Sequence, residues 1–200
     1  MADVKASAIK GGTTTSSRNI HTPLRLTKPT SLFTLGRGLT LKKSHVPNAG
    51  NGVYVNKGLK FKRAQLITEY FGRVITEDED LKLQKQSSHR NSYIAPFPAG
   101  DKLARGIDGY GIDPKPGTPC GQWINDPRND VLYNCKFVRT DGSEDLYNYE
   151  PPMQRLGTKT RKRIFIVASK EFQVEDDDFE LYINYGKAYW DDMSQRTDGK

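Results

Sequence analysis

The residues best suited to chemistry gather near the end of the chain. Phe179-Glu180-Leu181-Tyr182-Ile183-Asn184-Tyr185-Gly186 runs directly into Lys187-Ala188-Tyr189-Trp190. Alternation in the first half predicts a strand with Leu181, Ile183 and Tyr185 on one face. Gly186 breaks that strand, and Tyr189 and Trp190 bring two more rings close to Tyr185. Several rings and a phenol suit a narrow slot that binds a flat or cationic group. A last strand packed into a core has the same pattern, so the passage gains meaning only from what lies upstream.

A second candidate is Gly50-Asn51-Gly52, which leads into Val53-Tyr54-Val55. Glycines on either side of one residue permit positive φ and close approach of a ligand to the backbone. A plain hairpin turn uses them equally well. The motif lacks the third glycine and the helix of a dinucleotide fingerprint, which disfavours a nicotinamide-binding Rossmann domain. Tyr93, in Asn91-Ser92-Tyr93-Ile94-Ala95, is also singled out, as is Asn125-Asp126 after the apolar Trp123-Ile124.

Composition narrows the possibilities. Two hundred residues suit one domain with a sizeable core plus a tail. Cys120 and Cys135 are too few for a disulfide framework or, alone, a zinc cluster, so no metal is expected and a reducing, intracellular setting is. No apolar run is long enough to span a membrane, and the N-terminus lacks a secretory block. The net charge of +7 sits wholly in residues 1–43, with eight basic residues against one acid. The remainder is neutral, so only the leading segment suits a basic arm toward DNA or acidic chromatin. Residues 1–30 are rich in Ser, Thr and Lys without an apolar period, as expected of a disordered tail. A transit peptide has the same bias. Lys159-Thr160-Arg161-Lys162-Arg163 suits a nuclear-address patch or a solvated loop end.

The elements that must position these residues are short. Strands are predicted in 31–43, at Val53-Tyr54-Val55, over Leu66–Ile75 with a glycine inside it, and at Asn91–Ala95 and Gly106–Asp108. Tyr133–Val138 and Arg163–Ala168 read as two more. Glu77–Gln86 is the best candidate for a short helix, and Thr140–Lys162 for a long polar loop. Many short strands with irregular connections predict a compact, mostly β domain and exclude a helical bundle.

In this order the segments resemble the SET domain of protein-lysine methyltransferases. Gly50-Asn51-Gly52-Val53-Tyr54 is similar to the family's first glycine motif, and Ile67-Thr68-Glu69-Tyr70-Phe71-Gly72 to its Glu-Tyr-x-Gly strand. Trp123-Ile124-Asn125-Asp126-Pro127 stands where the family has Phe-Ile-Asn-His-Ser, and Asn134-Cys135 where it has Pro-Asn-Cys. Glu180 to Gly186 is similar to the closing Glu-Leu-Thr-x-x-Tyr-Gly. The small viral SET proteins, which lack zinc-binding flanks, are closest in style. Asp126-Pro127 in place of His-Ser and Phe179 in place of a glutamate are departures.

The resemblance implies a SET-domain fold over 31–194, with several short sheets, few short helices and a C-terminal segment completing the active site. Residues 195–200 are then a second tail. It implies S-adenosylmethionine as cofactor and a protein substrate, a histone, as partner, with two or three methyl groups added to a lysine in the nucleus. A transit peptide would instead send the chain to an organelle. Tyr185 and Tyr93 are then catalytic. Gly50, Asn51, Gly52, Val53, Tyr54, Tyr93, Asn125, Asp126, Tyr185 and Trp190 hold the cofactor, and Ile183 and Tyr189 line the lysine channel. The alternative is a non-catalytic SET module that binds peptide or scaffolds chromatin. Nothing in the sequence sets the oligomeric state.

Overall fold

A computed structural model describes residues 32–86, 93–97, 105–140 and 162–197. The predicted tail at 1–30, the last three residues of the predicted tail at 195–200, and the predicted loop over Thr140–Lys162 apart from its two end residues lie outside these residues; residues 195–197 belong to a helix. Eleven short strands, two helices and a 3₁₀ turn are described: β1 (Thr34–Leu35), β2 (Gly38–Lys43), β3 (Asn51–Val55), β4 (Lys60–Phe61), β5 (Leu66–Tyr70), β6 (Arg73–Ile75), α1 (Glu77–Gln86), β7 (Ile94–Pro96), β8 (Gly106–Asp108), the turn at Gly121–Trp123, β9 (Cys135–Thr140), β10 (Arg163–Ala168), β11 (Phe172–Gln173) and α2 (Lys187–Thr197). They form four small sheets, ordered β1-β2-β3, β5-β10-β9, β11-β4 and β6-β8-β7.

β10 shows why the sequence makes this architecture. Arg163-Ile164-Phe165-Ile166-Val167-Ala168 is β-branched and apolar, so it takes the middle of its sheet, antiparallel to both β5 and β9. Alternation then divides its side chains. Ile164, Ile166 and Ala168 enter the main core, while Phe165 and Val167 pack with Leu32 and Leu66 in a smaller one. Arg163 ties the strand end to β5, its guanidinium donating to both Glu69 oxygens at 2.8 and 2.6 Å. The last residue of the basic run is therefore committed to an ion pair, and Lys159 to Arg161 lie outside the described residues.

The predicted helix over Glu77–Gln86 is present with the expected ends. Thr76 and Glu79 cap it reciprocally: Glu79 N donates to Thr76 Oγ1 at 3.3 Å, and Thr76 N to Glu79 Oε2 at 2.8 Å. Four acids fill its first turn, where the helix dipole favours them.

Three expectations are corrected. The single strand over Leu66–Ile75 is two strands in different sheets, β5 and β6. The chain turns at Gly72, where an added Cβ would lie 2.1 Å from the Asp108 carbonyl oxygen. The stretch at Phe179–Gly186 is no ladder strand; it makes isolated bridges from Glu180 to Tyr54, from Tyr182 to Asn125 and from Ile183 to Cys135. It runs among three separate stretches of chain, so Leu181, Tyr182 and Ile183 are all buried instead of alternating. Finally, Lys187 onward is helix α2, which no periodic apolar pattern announced and which passes the expected domain end at 194.

Candidate active site

Tyr185 is the centre of an aromatic group on the C-terminal segment. Its ring lies 4.7 Å from Tyr189 at 70° and 6.0 Å from Trp190 at 20°. Tyr189 and Trp190 meet edge to face at 4.9 Å. The Tyr185 hydroxyl donates to the Ile124 carbonyl at 2.8 Å. Burial raises its pKa well above the ordinary phenol value, and Tyr189, Asp126 and Tyr93 push in the same direction. The group is thus a neutral O–H donor at any physiological pH.

Two further tyrosines adjoin it from other sheets. Tyr93 precedes β7, and its carbonyl accepts from the Tyr70 hydroxyl at 2.6 Å and from Gly109 N at 2.9 Å. Its ring meets Tyr110 edge to face at 5.8 Å. Tyr70 lies at the end of β5, and its phenol too is raised, first by burial and then by Tyr185, Asp108, Tyr189 and Tyr93. Tyr70 was not singled out in the sequence; it ends a strand buried throughout, whose pattern gave no sign that it would lie near Tyr185.

Asp126 joins this group to the chain around it. Its Oδ2 accepts from Tyr185 N at 2.9 Å and Trp190 Nε1 at 2.8 Å. Its Oδ1 accepts from Tyr133 OH at 2.6 Å and Arg128 N at 2.8 Å. Burial opposes the charge, but the bonds from Tyr133, Tyr185, Trp190 and Arg128 outweigh it and hold the carboxyl below the usual range. Expected to hold cofactor, Asp126 has both oxygens engaged by protein donors. Trp190 is likewise engaged: its N–H goes to Asp126, and the Arg128 guanidinium sits 3.6 Å over its ring.

The glycine motif divides. Gly50 has φ +76° and open space where a Cβ would project. A Cβ on Gly52 would fall 1.9 Å from Glu180 Oε1, so the close approach there is made by the protein's own carboxylate. Glu180 is fully buried and takes four donors: Ser44 Oγ at 2.6 Å, His45 N at 2.9 Å, Tyr182 OH at 2.9 Å and Tyr54 OH at 3.1 Å. The Tyr54 side chain, expected near cofactor, is committed to this knot, and burial with Glu180 pushes its phenol up to about 12. Val53 is fully buried, and its carbonyl accepts from Leu181 N at 2.8 Å.

Asn125 stands between the glycine motif and the tyrosines. Its Nδ2 donates to the Asn51 carbonyl at 2.9 Å, and its own carbonyl accepts from Ile183 N at 3.0 Å. No hydrogen bond from a described residue reaches its Oδ1. Ile183, expected in the lysine channel, is 1% exposed and belongs to the main core that Tyr185 packs against. Asn134 carried no assigned role, yet it clamps the C-terminal segment. Its Nδ2 donates to the Glu180 carbonyl and its Oδ1 accepts from Tyr182 N, both at 2.9 Å.

The structure therefore brings Gly50, Asn51, Asn125, Tyr185, Tyr189 and Trp190 together around the C-terminal segment, with Tyr93 and Tyr70 adjoining. It commits Gly52, Val53, Tyr54 and Asp126 to protein contacts. Among the described residues, no group of three or more His, Cys, Asp or Glu is placed to hold a metal ion.

No family model matches the chain, and no curated protein does. Solved structures do. Apo ctPRC2 with two mutations in Ezh2 is similar at 17% identity, over 82% of this chain and 16% of that one, with a TM-score of 0.52. The Chaetomium thermophilum Polycomb Repressive Complex 2 bound to GSK126 is similar at 18% identity, over 80% of this chain and 17% of that one, with a TM-score of 0.51. This chain thus spans about a sixth of the length of the chains it matches. Four small sheets, few helices and a C-terminal segment carried among them are the SET-domain fold, and that is the fold of this chain.

Proposed function

We propose that the protein is an S-adenosylmethionine-dependent protein-lysine N-methyltransferase acting on a histone. The observation that carries this reading is Tyr185, a buried, neutral phenol fixed to the Ile124 carbonyl and flanked by Tyr189 and Trp190. Aromatic walls accept a long apolar lysine stem and a cationic centre, and they exclude water.

The residues present fit the cofactor at three points. Gly50 leaves open space in a left-handed turn, Asn125 Oδ1 has acceptor capacity free among the described residues, and Asn51 lies within reach of the same amide. S-adenosylmethionine supplies a methyl group already activated on a sulfonium, so the protein needs neither a strong base nor a metal. What the chain supplies is placement. Tyr185 and Tyr93 orient the amine, and Tyr70, Tyr189 and Trp190 shape the slot. The lysine must arrive neutral, and burial among rings favours that form.

The test is incubation with methyl-labelled cofactor and histones, with the native chain and with Tyr185→Phe, alongside calorimetry of cofactor binding. Label on lysine from the native chain, with most turnover lost in the variant at near-native cofactor affinity, is expected. Absence of both cofactor binding and transfer by the native chain overturns the proposal.

A further inference from the structure

We propose that Asp126 is a positioning residue for the lysine side of this site, acting through Trp190 and the Tyr185 backbone. This rests on the methyltransferase reading, but the geometry beneath it does not.

One carboxylate collects four donors from four positions in the chain. Oδ2 joins Tyr185 N at 2.9 Å to Trp190 Nε1 at 2.8 Å, five residues further on and inside α2. Oδ1 joins Tyr133 OH at 2.6 Å to Arg128 N at 2.8 Å. The second pair anchors Asp126 to its own loop, and the first extends that anchor to the aromatic group. Arg128 closes the arrangement from the other side of the loop. Its backbone takes φ +53°, a costly conformation for a residue other than glycine, and its guanidinium reaches the Trp190 ring at 3.6 Å. The turn is held by the Arg128 N–H bond to Asp126 Oδ1, and it carries the guanidinium onto the ring.

The connection reaches α2. Its first turn carries Tyr189 and Trp190, both half-buried, and Lys187 and Asp191 pair with each other on the exposed side. Trp190 gives that turn a hydrogen bond back into the domain. Without Asp126 the indole N–H and the Tyr185 N–H would both lose their acceptor, and the rings would lose their fixed angle. A displacement of about 1 Å costs on the order of 100-fold in rate. Gly50, Asn51 and Asn125 hang on other contacts, so cofactor affinity should be spared.

The test uses the full chain in a Trp123→Phe background, which leaves Trp190 as the sole tryptophan of the two. Asp126→Asn turns one carboxylate oxygen into a donor facing donors. Expected are a red-shifted Trp190 emission, an upfield move of its indole N–H resonance, and a kcat lower by about 10- to 100-fold. Cofactor Kd should stay within about twofold, as for an independent site. Trp190→Phe keeps an aromatic ring but removes the pyrrole half of the indole with its N–H, so it should reproduce most of the kcat loss. Combining the two should add little, since both cut the same bond. If Asp126→Asn fails to fold, the indole resonance of the native chain and Trp190→Phe still decide.

An unchanged Trp190 emission in folded Asp126→Asn overturns the inference, as do additive losses in the double variant. A fall in cofactor affinity that matches the fall in turnover also overturns it, and makes Asp126 a cofactor ligand. A native chain that neither binds cofactor nor transfers methyl sinks the methyltransferase reading instead, while emission and resonance still judge the hydrogen bonds.

Discussion

Two glycines two positions apart should respond to the same substitution to very different degrees. Gly50→Ala places a methyl in open space, and its cost is the left-handed backbone at φ +76°. That conformation costs an alanine about 1–2 kcal/mol, offset by about 0.4–1 kcal/mol from a less flexible unfolded chain. The net loss should be under about 1.5 kcal/mol. Gly52→Ala instead sets a methyl 1.9 Å from Glu180 Oε1 and 2.7 Å from its Cδ. The carboxylate must retreat by roughly 1 Å, out of reach of donors now at 2.6 to 3.1 Å. Hydrogen bonds to a charged group are worth about 1.5–3 kcal/mol each, so losing two costs about 3–6 kcal/mol. Urea denaturation followed by circular dichroism measures both. The second arm is the double variant Gly52→Ala with Glu180→Ala, which should be no less stable than Glu180→Ala alone. If Gly52→Ala is as mild as Gly50→Ala, the glycine is not there to admit Glu180, and this reasoning fails.

Asn134→Ala leaves the Tyr182 N–H and the Glu180 carbonyl unpaired in a buried setting, at about 1–3 kcal/mol each; its urea midpoint should fall with m unchanged, and a near-native midpoint would rule out the clamp. Methyl transfer should accelerate from neutral to mildly alkaline pH, because free lysine titrates near about 10.4 and must lose its proton. The rising limb cannot belong to Tyr185, whose pKa burial raises further still, so a flat profile would show that deprotonation is not limiting. Asp126 has a folded pKa below its unfolded value, so its contribution is full above about pH 4 and disappears as pH falls through the folded pKa. Asp126→Asn should therefore flatten the acid side of the stability curve, read as urea midpoint against pH; an unchanged acid limb counts against the four-donor site. Ile183 lies in the core against which Tyr185 packs, so Ile183→Tyr should lower the urea midpoint, at an overpacking cost of about 1–3 kcal/mol in this 1%-exposed position; a native midpoint in the variant refutes that placement.

The comparison of sequence with structure turns on which contacts are local. α1 was legible because Thr76 and Glu79 carry their own cap and the first-turn acids are contiguous. β10 was legible because a β-branched run needs a central place in a sheet whatever its partners. The aromatic group at Tyr185, Tyr189 and Trp190 was legible because its members are neighbours in sequence. The Glu180 knot was not. Its donors come from Ser44, His45, Tyr54 and Tyr182, and only Tyr182 is near it in the chain. Tyr70 and Tyr93 are joined by a hydrogen bond between distant stretches of the chain, and no period records it.

Alternation misled at Leu181, Tyr182 and Ile183 for a related reason. Period-two reading assumes one buried face, and this segment is enclosed on every side. Once enclosed, its backbone needs partners that no single strand provides, and Asn134 supplies them from its side chain. The same logic explains the departure at Asp126. A carboxylate can accept four hydrogen bonds, which an imidazole cannot. At this position four N–H and O–H donors converge, two from the loop and two from the C-terminal segment. The residue that differs most from the resembling motif is thus the one whose chemistry the surrounding chain most requires. Read with its partners, this altered motif position is a point at which the loop and the C-terminal segment are held together.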